Sequence, residues 1–144
     1  MKLPFKYKDI HSCEAVVLSC IDFRFWKETA EFAEKELGIK SFDFPSLPGG
    51  VKAINENNDL AMSCISVPCD LHHAQKIILV NHEDCGAYGG SAKFATREDE
   101  QKFHEEELRK AKTKIAEKYP DKEIILIYAR LVDEKENVEF VKIS

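Results

Sequence analysis

Short apolar runs alternate along the chain with segments of helical periodicity. Residues 15–19 form an apolar run rich in β-branched residues, which predicts a strand covered on both faces. From residue 26 to residue 37 the apolar positions recur at helical spacing, and Gly38 supplies a left-handed stop. Residues 41–44 predict a second strand, which Pro45 ends. The amino-terminal third is therefore expected to fold as a strand, a helix and a second strand.

The middle of the chain continues this alternation. Residues 47–50 predict a loop, and residues 59–73 predict a helix in which Pro68 is expected to cause a kink or an early end. Residues 76–80 form the clearest buried strand of this region. That strand leads directly into Asn81 and His82, so polar side chains are expected at its carboxyl end.

A long charged helix is predicted after Thr96, which stands three residues before Asp99 in a capping-box-like arrangement. Its inward stripe is expected to consist of Leu108, Ala111, Ile115 and Tyr119. His104 is expected to lie on the charged, solvated face of this helix. Residues 123–129 then predict a fourth strand, and residues 137–143 are a candidate fifth strand at an edge.

Strands that alternate with helices predict an α/β fold with right-handed crossovers and a mostly parallel sheet. We expect residues 1–144 to form a single domain in which a doubly wound sheet, in strand order 2-1-3-4, carries helices on both faces. In that order the first and third strands are neighbours at the switch point, where ligands bind beyond the carboxyl ends of the strands.

Composition and charge narrow the range of partners. The chain is 44% hydrophobic and 33% charged, which is ordinary for a globular protein. A net charge of −5, with Lys and Glu interleaved in the second half, argues against nucleic acid as a partner. No stretch has the length of a membrane span, and residues 1–11 lack the apolar core of a secretion signal. A cytoplasmic location is therefore expected, and the five cysteines are expected to be reduced thiols or metal ligands.

Two polar clusters follow the first and third predicted strands. Residues 20–24 read Cys-Ile-Asp-Phe-Arg, and residues 82–86 read His-Glu-Asp-Cys-Gly. Two thiolates and an imidazole are the usual protein ligands of a zinc ion that keeps its fourth position free, whereas structural sites close with four protein ligands. The sequence therefore predicts that Cys20, His82 and Cys85 bind one Zn²⁺ ion.

The residues beside these ligands add acid and base chemistry. In an extended segment Cys20, Asp22 and Arg24 would share one face, and His82 and Cys85 would lie about one turn apart at the start of a helix. Asp22 could accept a hydrogen bond from a zinc-bound water while Arg24 keeps it ionised. Alternatively, Asp22 could take the fourth coordination position and close the site until Arg24 withdraws it.

The pair of motifs Cys20-x-Asp22-x-Arg24 and His82-x-x-Cys85 resembles the β-class carbonic anhydrases, and the second cluster is most similar to the compact branch of that family. The resemblance implies a zinc lyase that hydrates CO₂ reversibly to bicarbonate through a zinc-bound hydroxide. It implies that Cys20, His82 and Cys85 bind the zinc and that Asp22 and Arg24 form a catalytic dyad. It also implies assembly as a homodimer or a higher homo-oligomer.

Two alternatives to this enzyme stay open, and a departure from the family pattern favours the first of them. After the second strand the family usually carries Arg-Asn-Ala-Gly, whereas residues 47–50 read Leu-Pro-Gly-Gly here. The chain could therefore be a silent relative whose zinc is purely structural and permanently closed by Asp22. It could also hydrolyse a related small molecule such as carbon disulfide or carbonyl sulfide. A thiolate-dependent phosphatase is disfavoured, because Cys20 and Arg24 do not have the Cys-x5-Arg spacing.

The remaining cysteines and histidines are expected to be structural. Cys13 has no evident partner. A second grouping consists of Cys64, Cys69, His72 and His73, in which Cys69 and His72 or His73 are helically spaced. Pro68 disturbs this helix and no third ligand is evident nearby, so core thiols and end-of-helix histidines are expected. Four residues are candidates to line the CO₂ pocket or a dimer interface: Phe23, Phe25, Val51 and Tyr88.

Overall fold

One mostly parallel sheet organises the protein in the computed structural model, which describes residue 4 and residues 6–144. In this part of the chain the six strands are β1 Ala15–Cys20, β2 Phe42–Asp43, β3 Ser46–Leu47, β4 Lys76–His82, β5 Glu123–Val132 and β6 Asn137–Ile143. The four α-helices of the same residues are α1 Trp26–Lys35, α2 Lys52–Asn55, α3 Asp59–Leu71 and α4 Arg97–Lys118. Residues 1–11, on which the expectation about a secretion signal rested, lie partly outside the described residues.

The strand order is β2-β1-β4-β5-β6, and β3 pairs with β1 beyond the end of β2. All pairs are parallel except that of β5 with β6, which is antiparallel. The predicted order 2-1-3-4 is confirmed, because β2, β1, β4 and β5 follow it and the candidate fifth strand lies at the edge. Within the described residues, no helix is both long enough and apolar enough to cross a bilayer.

The second predicted strand is divided in two at Pro45. The segment before Pro45 pairs with the start of β1, and Ser46 and Leu47 pair with Ser19 and Cys20 at its end. The Pro45 carbonyl accepts a hydrogen bond from the Ser19 N–H at 3.2 Å, so the chain follows β1 across the proline. This continuation delivers residues 48–50 to the side of Cys20.

The two faces of the sheet bury separate cores, because side chains alternate along each strand. Val16 and Leu18 of β1 pack with α2, α3 and α4 on one face. Ala15 and Val17 pack with α1 and with Phe140 of β6 on the other face. Every residue of β1 is buried, as the uninterrupted apolar run predicts for a central parallel strand. Each buried Val or Leu contributes roughly 1.5–3 kcal/mol through the hydrophobic effect.

Pro68 does not end α3 where it occurs. The helix continues for three residues to Leu71, and the N–H of the capping residue His72 donates to the Pro68 carbonyl at 3.2 Å. A proline removes one helical hydrogen bond, that to the carbonyl four residues before it. The helix thus ends at Leu71, two residues before the predicted boundary at residue 73 and within one turn of Pro68.

Helix α4 confirms the predicted cap and corrects the expectation for His104. The Thr96 hydroxyl accepts a hydrogen bond from the Asp99 N–H at 3.0 Å. His104 is fully buried rather than solvated. The inward stripe extends two helical turns further toward the amino terminus than the apolar residues indicate, because polar residues continue it at helical spacing. Its buried members are Glu100, His104, Leu108, Ala111 and Ile115.

Candidate metal centre

Three side chains that could hold a metal ion converge at the carboxyl ends of two neighbouring strands. Cys20 is the last residue of β1, His82 is the last residue of β4, and these strands are paired in parallel. Cys85 follows in the next turn. One donor atom of each residue lies within 4.8 Å of the other two, and the two Sγ atoms are 3.8 Å apart. The residues predicted to share a zinc ion are therefore close enough to do so.

The segment between His82 and Cys85 is a tight turn and not the start of a helix, which corrects the sequence-based expectation. Asp84 has a positive φ of 59°. The Cys85 carbonyl accepts hydrogen bonds from the N–H groups of Tyr88 and Gly90 at 3.0 and 2.9 Å. Two three-residue 3₁₀ turns, Gly86–Tyr88 and Ser91–Lys93, follow Cys85, and α4 begins later, at Arg97. The turn itself orients the thiol toward β1.

The His82 imidazole is oriented so that its Nε2 atom could bind a metal ion. Its Nδ1 lies 2.7 Å from the Glu83 carbonyl, which can only accept, so Nδ1 carries the proton. Nε2 therefore has a free lone pair, and among the described residues this buried atom has no hydrogen-bond partner. The Phe25 ring packs against the imidazole with 4.2 Å between centroids. A hydrogen bond from one ring nitrogen, here Nδ1, to a backbone carbonyl is typical of a histidine that binds a metal through the other nitrogen.

The two thiols are electrostatically coupled. The hydrogen bond with Cys85 lowers the pKa of the Cys20 thiol, with smaller contributions from His82 and from the Gly49 N–H, which lies 3.4 Å from Sγ. The same hydrogen bond, together with burial, raises the pKa of Cys85. The pair therefore keeps one proton in the absence of a cation, and a bound cation would displace it. The donor set thus fits Zn²⁺.

The Gly49–Gly50 turn packs directly against this site. Gly50 has a φ of +57°, and a Cβ there would stand 2.7 Å from Asn81 Oδ1 and 2.9 Å from the Val80 carbonyl. Only glycine combines this backbone conformation with such close approach. The turn can therefore deliver the Gly49 N–H to Cys20.

Asp22 and Arg24 meet through a turn, whereas the sequence predicted an extended segment. The Phe25 N–H donates to the Asp22 carbonyl at 3.2 Å, and the Arg24 N–H donates to Asp22 Oδ1 at 2.9 Å. The Arg24 guanidinium holds both carboxylate oxygens, with Nε at 2.9 and 3.1 Å and Nη2 at 2.6 Å. These hydrogen bonds lower the pKa of Asp22. Its Oδ2 lies 3.9 Å from His82 Nε2, so an ionised carboxylate faces the proposed metal position.

Asp84 is a second carboxylate on Arg24 that sequence reasoning did not assign. Its Oδ2 and its carbonyl accept hydrogen bonds from the guanidinium at 3.0 and 3.1 Å. Its Oδ1 accepts from the Ser91 N–H at 3.1 Å, and this bond, with that from Arg24, lowers the pKa of Asp84. The position of Asp84 inside the second cluster was the available indication. Arg24 is consequently fixed between two carboxylates.

Two buried polar side chains of α4 contact the residues around the site. His104 Nδ1 lies 3.2 Å from the Asn81 amide nitrogen, and Glu100 Oε1 accepts from the Asp84 N–H at 2.7 Å. Burial lowers the pKa of His104 to about 4, so the ring is neutral near pH 7. The spacing of Glu100, His104 and Leu108 on α4 could have identified this inward stripe. These contacts link α4 to the strand end that carries His82 and to the turn that carries Cys85.

The four candidate pocket residues separate into buried and exposed ones. Phe25, Val51 and Tyr88 are buried, and Tyr88 packs with Cys20 and Cys85. Phe23 is 82% exposed, so its ring points away from the site in the isolated chain. The neighbouring Ile21 is 65% exposed. Tyr88 can keep water from the thiols, and Phe25 covers the His82 ring. A role for Phe23 at a dimer interface remains a prediction.

Comparison with known proteins gives a family match over nearly the whole chain. The model of the family described as "Putative carbonic anhydrase" matches residues 10–142. A curated protein of Rickettsia bellii (strain RML369-C), itself named only as uncharacterised, is 35% identical over 122 residues. That alignment covers 78% of this chain and 74% of the relative.

Two solved structures share the fold at low sequence identity. A carbonic anhydrase from Glaciozyma antarctica superposes with a TM-score of 0.63 at 14% identity, over 95% of this chain and 85% of the other. A β-carbonic anhydrase, isoform I, from Trichomonas vaginalis superposes with a TM-score of 0.64 at 16% identity, over 96% and 86% of the two chains. The arrangement of helices and strands is thus that of β-carbonic anhydrases.

Proposed function

Because the chain belongs to the family described as "Putative carbonic anhydrase", we propose that it is a zinc-dependent carbonic anhydrase that interconverts CO₂ and bicarbonate. Cys20, His82 and Cys85 would hold the zinc ion. The observation that carries this proposal is the free, buried Nε2 of His82, which shares a 4.8 Å cluster with the two thiols. Three protein ligands would leave a fourth position for chemistry.

Zinc, when bound, would lower the pKa of a water molecule and so supply a nucleophile near neutral pH. Asp22 would accept a hydrogen bond from that water and orient it, since Arg24 keeps the carboxylate ionised. Asp84 would hold Arg24 in place. The buried rings of Phe25 and Tyr88 would exclude bulk water and offer an apolar surface to CO₂.

A silent relative with a structural zinc closed by Asp22 is the second candidate. It is favoured by the Leu-Pro-Gly-Gly sequence of residues 47–50, which lacks the family's arginine. The hydrogen bonds of Arg24 to both Asp22 oxygens support the open site instead, because they would compete with coordination of the metal by this carboxylate. The two candidates predict the same metal content and opposite activities.

Zinc content together with stopped-flow CO₂ hydration across a pH range tests the proposal. The wild type should accelerate hydration, and Cys20→Ser and His82→Ala should each lose one equivalent of zinc and the activity. Cys64→Ser is the matched control, because this thiol lies on α3 and donates only to the Leu60 carbonyl at 3.6 Å; it should keep both properties.

The outcomes separate the candidates. A protein that holds zinc at Cys20 but fails to accelerate hydration even above pH 8 would support the closed, silent relative. Folded Cys20→Ser and His82→Ala variants that both bind as much zinc as the wild type would contradict a zinc site at these residues.

We also propose that the chain assembles as a homodimer or a higher homo-oligomer. The exposed side chains of Ile21, Phe23 and Trp26 support this, because they place apolar surface beside the site. Sedimentation of the wild type should show an oligomer, and Phe23→Ser should weaken it. Sedimentation of the wild type as a monomer at all concentrations would argue against this assembly.

A further inference from the structure

A second trio of metal-binding side chains lies at the opposite end of β1. Cys13, Asp43 and His72 each contribute one donor atom within 4.8 Å of the other two. The Cys13 Sγ is 3.6 Å from Asp43 Oδ2, and His72 Nδ1 is 2.6 Å from the same oxygen. Sequence reasoning left Cys13 without a partner and His72 without a third ligand. The fold supplies both.

Backbone hydrogen bonds hold the three residues together although they are far apart in sequence. The Cys13 N–H donates to the His72 carbonyl at 2.9 Å, which ties the start of β1 to the end of α3. Asp43 belongs to β2 and pairs in register with Val16 of β1. Each side chain therefore starts from a fixed element, so binding of an ion would order only side chains.

We propose that Cys13, Asp43 and His72 form a second metal site, which binds a divalent transition metal of the zinc class independently of Cys20. A thiolate, an imidazole and a carboxylate together suit Zn²⁺ or Co²⁺, whereas Mg²⁺ and Ca²⁺ prefer oxygen ligands alone. With the thiol deprotonated, the trio carries two negative charges and matches a dication.

The distances agree with tetrahedral coordination after a small adjustment. Zinc bonds of about 2.3 Å to sulfur and about 2.0–2.1 Å to nitrogen or oxygen place donor atoms roughly 3.3–3.6 Å apart. The distance of 3.6 Å between Cys13 Sγ and Asp43 Oδ2 already meets this requirement. The 2.6 Å hydrogen bond between Asp43 and His72 has to lengthen by less than about 1 Å, which rotation of two half-buried side chains permits.

A fourth ligand has room to enter. The trio lines an open cavity of about 410 Å³, which is also lined by His11, two residues before Cys13. The His11 side chain is 87% exposed. His11 or a water molecule can therefore complete the coordination from the solvent side.

The two trios are far enough apart to act separately. Cys13 and Cys20 lie just before and at the end of the same strand, and seven residues at about 3.3 Å each place them roughly 20 Å apart. Loss of one site should thus leave the other unchanged. The second site would join three parts of the chain, namely the segment before β1, the strand β2 and the end of α3. It lies at the end of β1 opposite the proposed catalytic centre.

Titration of the metal-free full-length protein with Zn²⁺ alone tests this second site. The wild type should take up two equivalents per chain. Cys13→Ser and His72→Asn should each reduce uptake to one equivalent and leave CO₂ hydration unchanged. The matched control His73→Asn, a histidine beside the trio but outside it, should still take up two.

Co²⁺ binding to the Cys20→Ser variant gives a second readout that does not depend on activity. This variant should still show the near-ultraviolet absorption of a cobalt–thiolate bond from Cys13, and adding Asp43→Asn should weaken that metal binding. Uptake of a single equivalent by the wild type, or of two equivalents that neither Cys13→Ser nor His72→Asn reduces, would overturn the second site. Either result leaves the test of the Cys20 site intact.

Discussion

Asp22 depends on a single guanidinium for its position and its charge. Arg24 contacts both of its oxygens, and the N–H of the same residue caps Oδ1. Because Asp22 and Arg24 are two residues apart, their pairing could be predicted from the Cys-x-Asp-x-Arg spacing. The turn itself could not, since an extended segment would satisfy the same spacing.

Replacement of this carboxylate separates metal binding from catalysis. Asp22→Asn keeps the shape of the side chain but removes its charge, so we expect CO₂ hydration to fall by about 10²-fold or more, with zinc content unchanged. Stopped-flow hydration and metal analysis measure the two effects. Asp84→Asn, which leaves Asp22 itself in place, should reduce the rate by less. A wild-type rate in Asp22→Asn would remove this residue from the mechanism.

His104 is the residue at which the sequence-based expectation failed most clearly. A histidine on a helix with many charges was expected in solvent, yet it is fully buried against Asn81. The pattern of apolar residues cannot reveal a stripe that continues through Glu100 and His104. Their helical spacing with Leu108 was the available indication, and the contacts with Asn81 of β4 and with Asp84 in the turn after it show that these polar groups face inward.

The buried His104 should make the free energy of unfolding depend on pH. Burial lowers its pKa from 6.5 to about 4, so between these pH values the unfolded chain binds more protons than the folded one. The contribution of His104 to the free energy of unfolding should therefore be fully present above about pH 6.5. It should decline as the pH falls toward 4, by at most about 1.4 kcal/mol per pH unit.

Urea unfolding at several pH values between 4.5 and 7 measures this dependence. His104→Gln should have a shallower slope in this window than the wild type, because the titrating group is gone. The exposed His11→Gln variant is the control and should keep the wild-type slope. Equal slopes for the wild type and His104→Gln would show that His104 does not contribute.

At the scale of elements, the turn at residues 47–50 links the short strand β3 to the site. The sequence predicted a loop here, and the two glycines indicated backbone freedom. The contact of Gly50 with Asn81 and Val80 was not predictable, because it depends on how β3 and β4 flank β1.

Two glycine substitutions distinguish backbone strain from steric overlap. Gly38→Ala places a Cβ in open space at a φ of +67°, so it should cost only the strain of that conformation, on the order of 1–2 kcal/mol. Gly50→Ala has comparable strain at +57° and adds overlap with Asn81, which should cost about 1–3 kcal/mol more. Denaturant unfolding measures both, and equal losses would show that the turn yields without disturbing β4.

Gly50→Ala should also weaken zinc binding, since the displaced turn carries the Gly49 N–H away from Cys20. The Zn²⁺ affinity of Gly38→Ala should match that of the wild type. An unchanged affinity in Gly50→Ala would mean that the Gly49 contact with the thiol is dispensable.

At the scale of the whole molecule, metal binding and folding should be coupled. Each trio gathers side chains from separate parts of the chain, and these side chains are dispersed in the unfolded state. A ligand that binds only the folded state stabilises it by about 4 kcal/mol when present at a thousandfold excess over its Kd. Zn²⁺ should therefore raise the Tm of the metal-free protein by several degrees.

Thermal unfolding with and without Zn²⁺ measures this coupling. The double variant Cys13→Ser/Cys20→Ser lacks a thiol in each trio, so zinc should have little effect on its Tm. Cys64→Ser should respond as the wild type does. A zinc-dependent increase of equal size in the double variant would place the stabilising metal at other residues.

The sequence by itself determined where most strands and helices lie and which polar residues stand together in residues 20–24 and in residues 82–86. These features depend on local periodicity and on short spacings, which act over one or two turns of chain. The alternation of strands with helices then predicted the strand order. The β-class resemblance joined residues 20–24 to residues 82–86 because both motifs are short and specific.

The tertiary structure decided which distant residues meet. It divided the second strand at Pro45, brought Asp84 to Arg24 and turned His104 inward. It also assembled Cys13, Asp43 and His72, whose neighbours in sequence gave no indication of a shared site. The physical reason is that such contacts arise from the pairing of β1 with β2 and β4 and from the packing of α3 and α4. Local sequence patterns do not encode those distances.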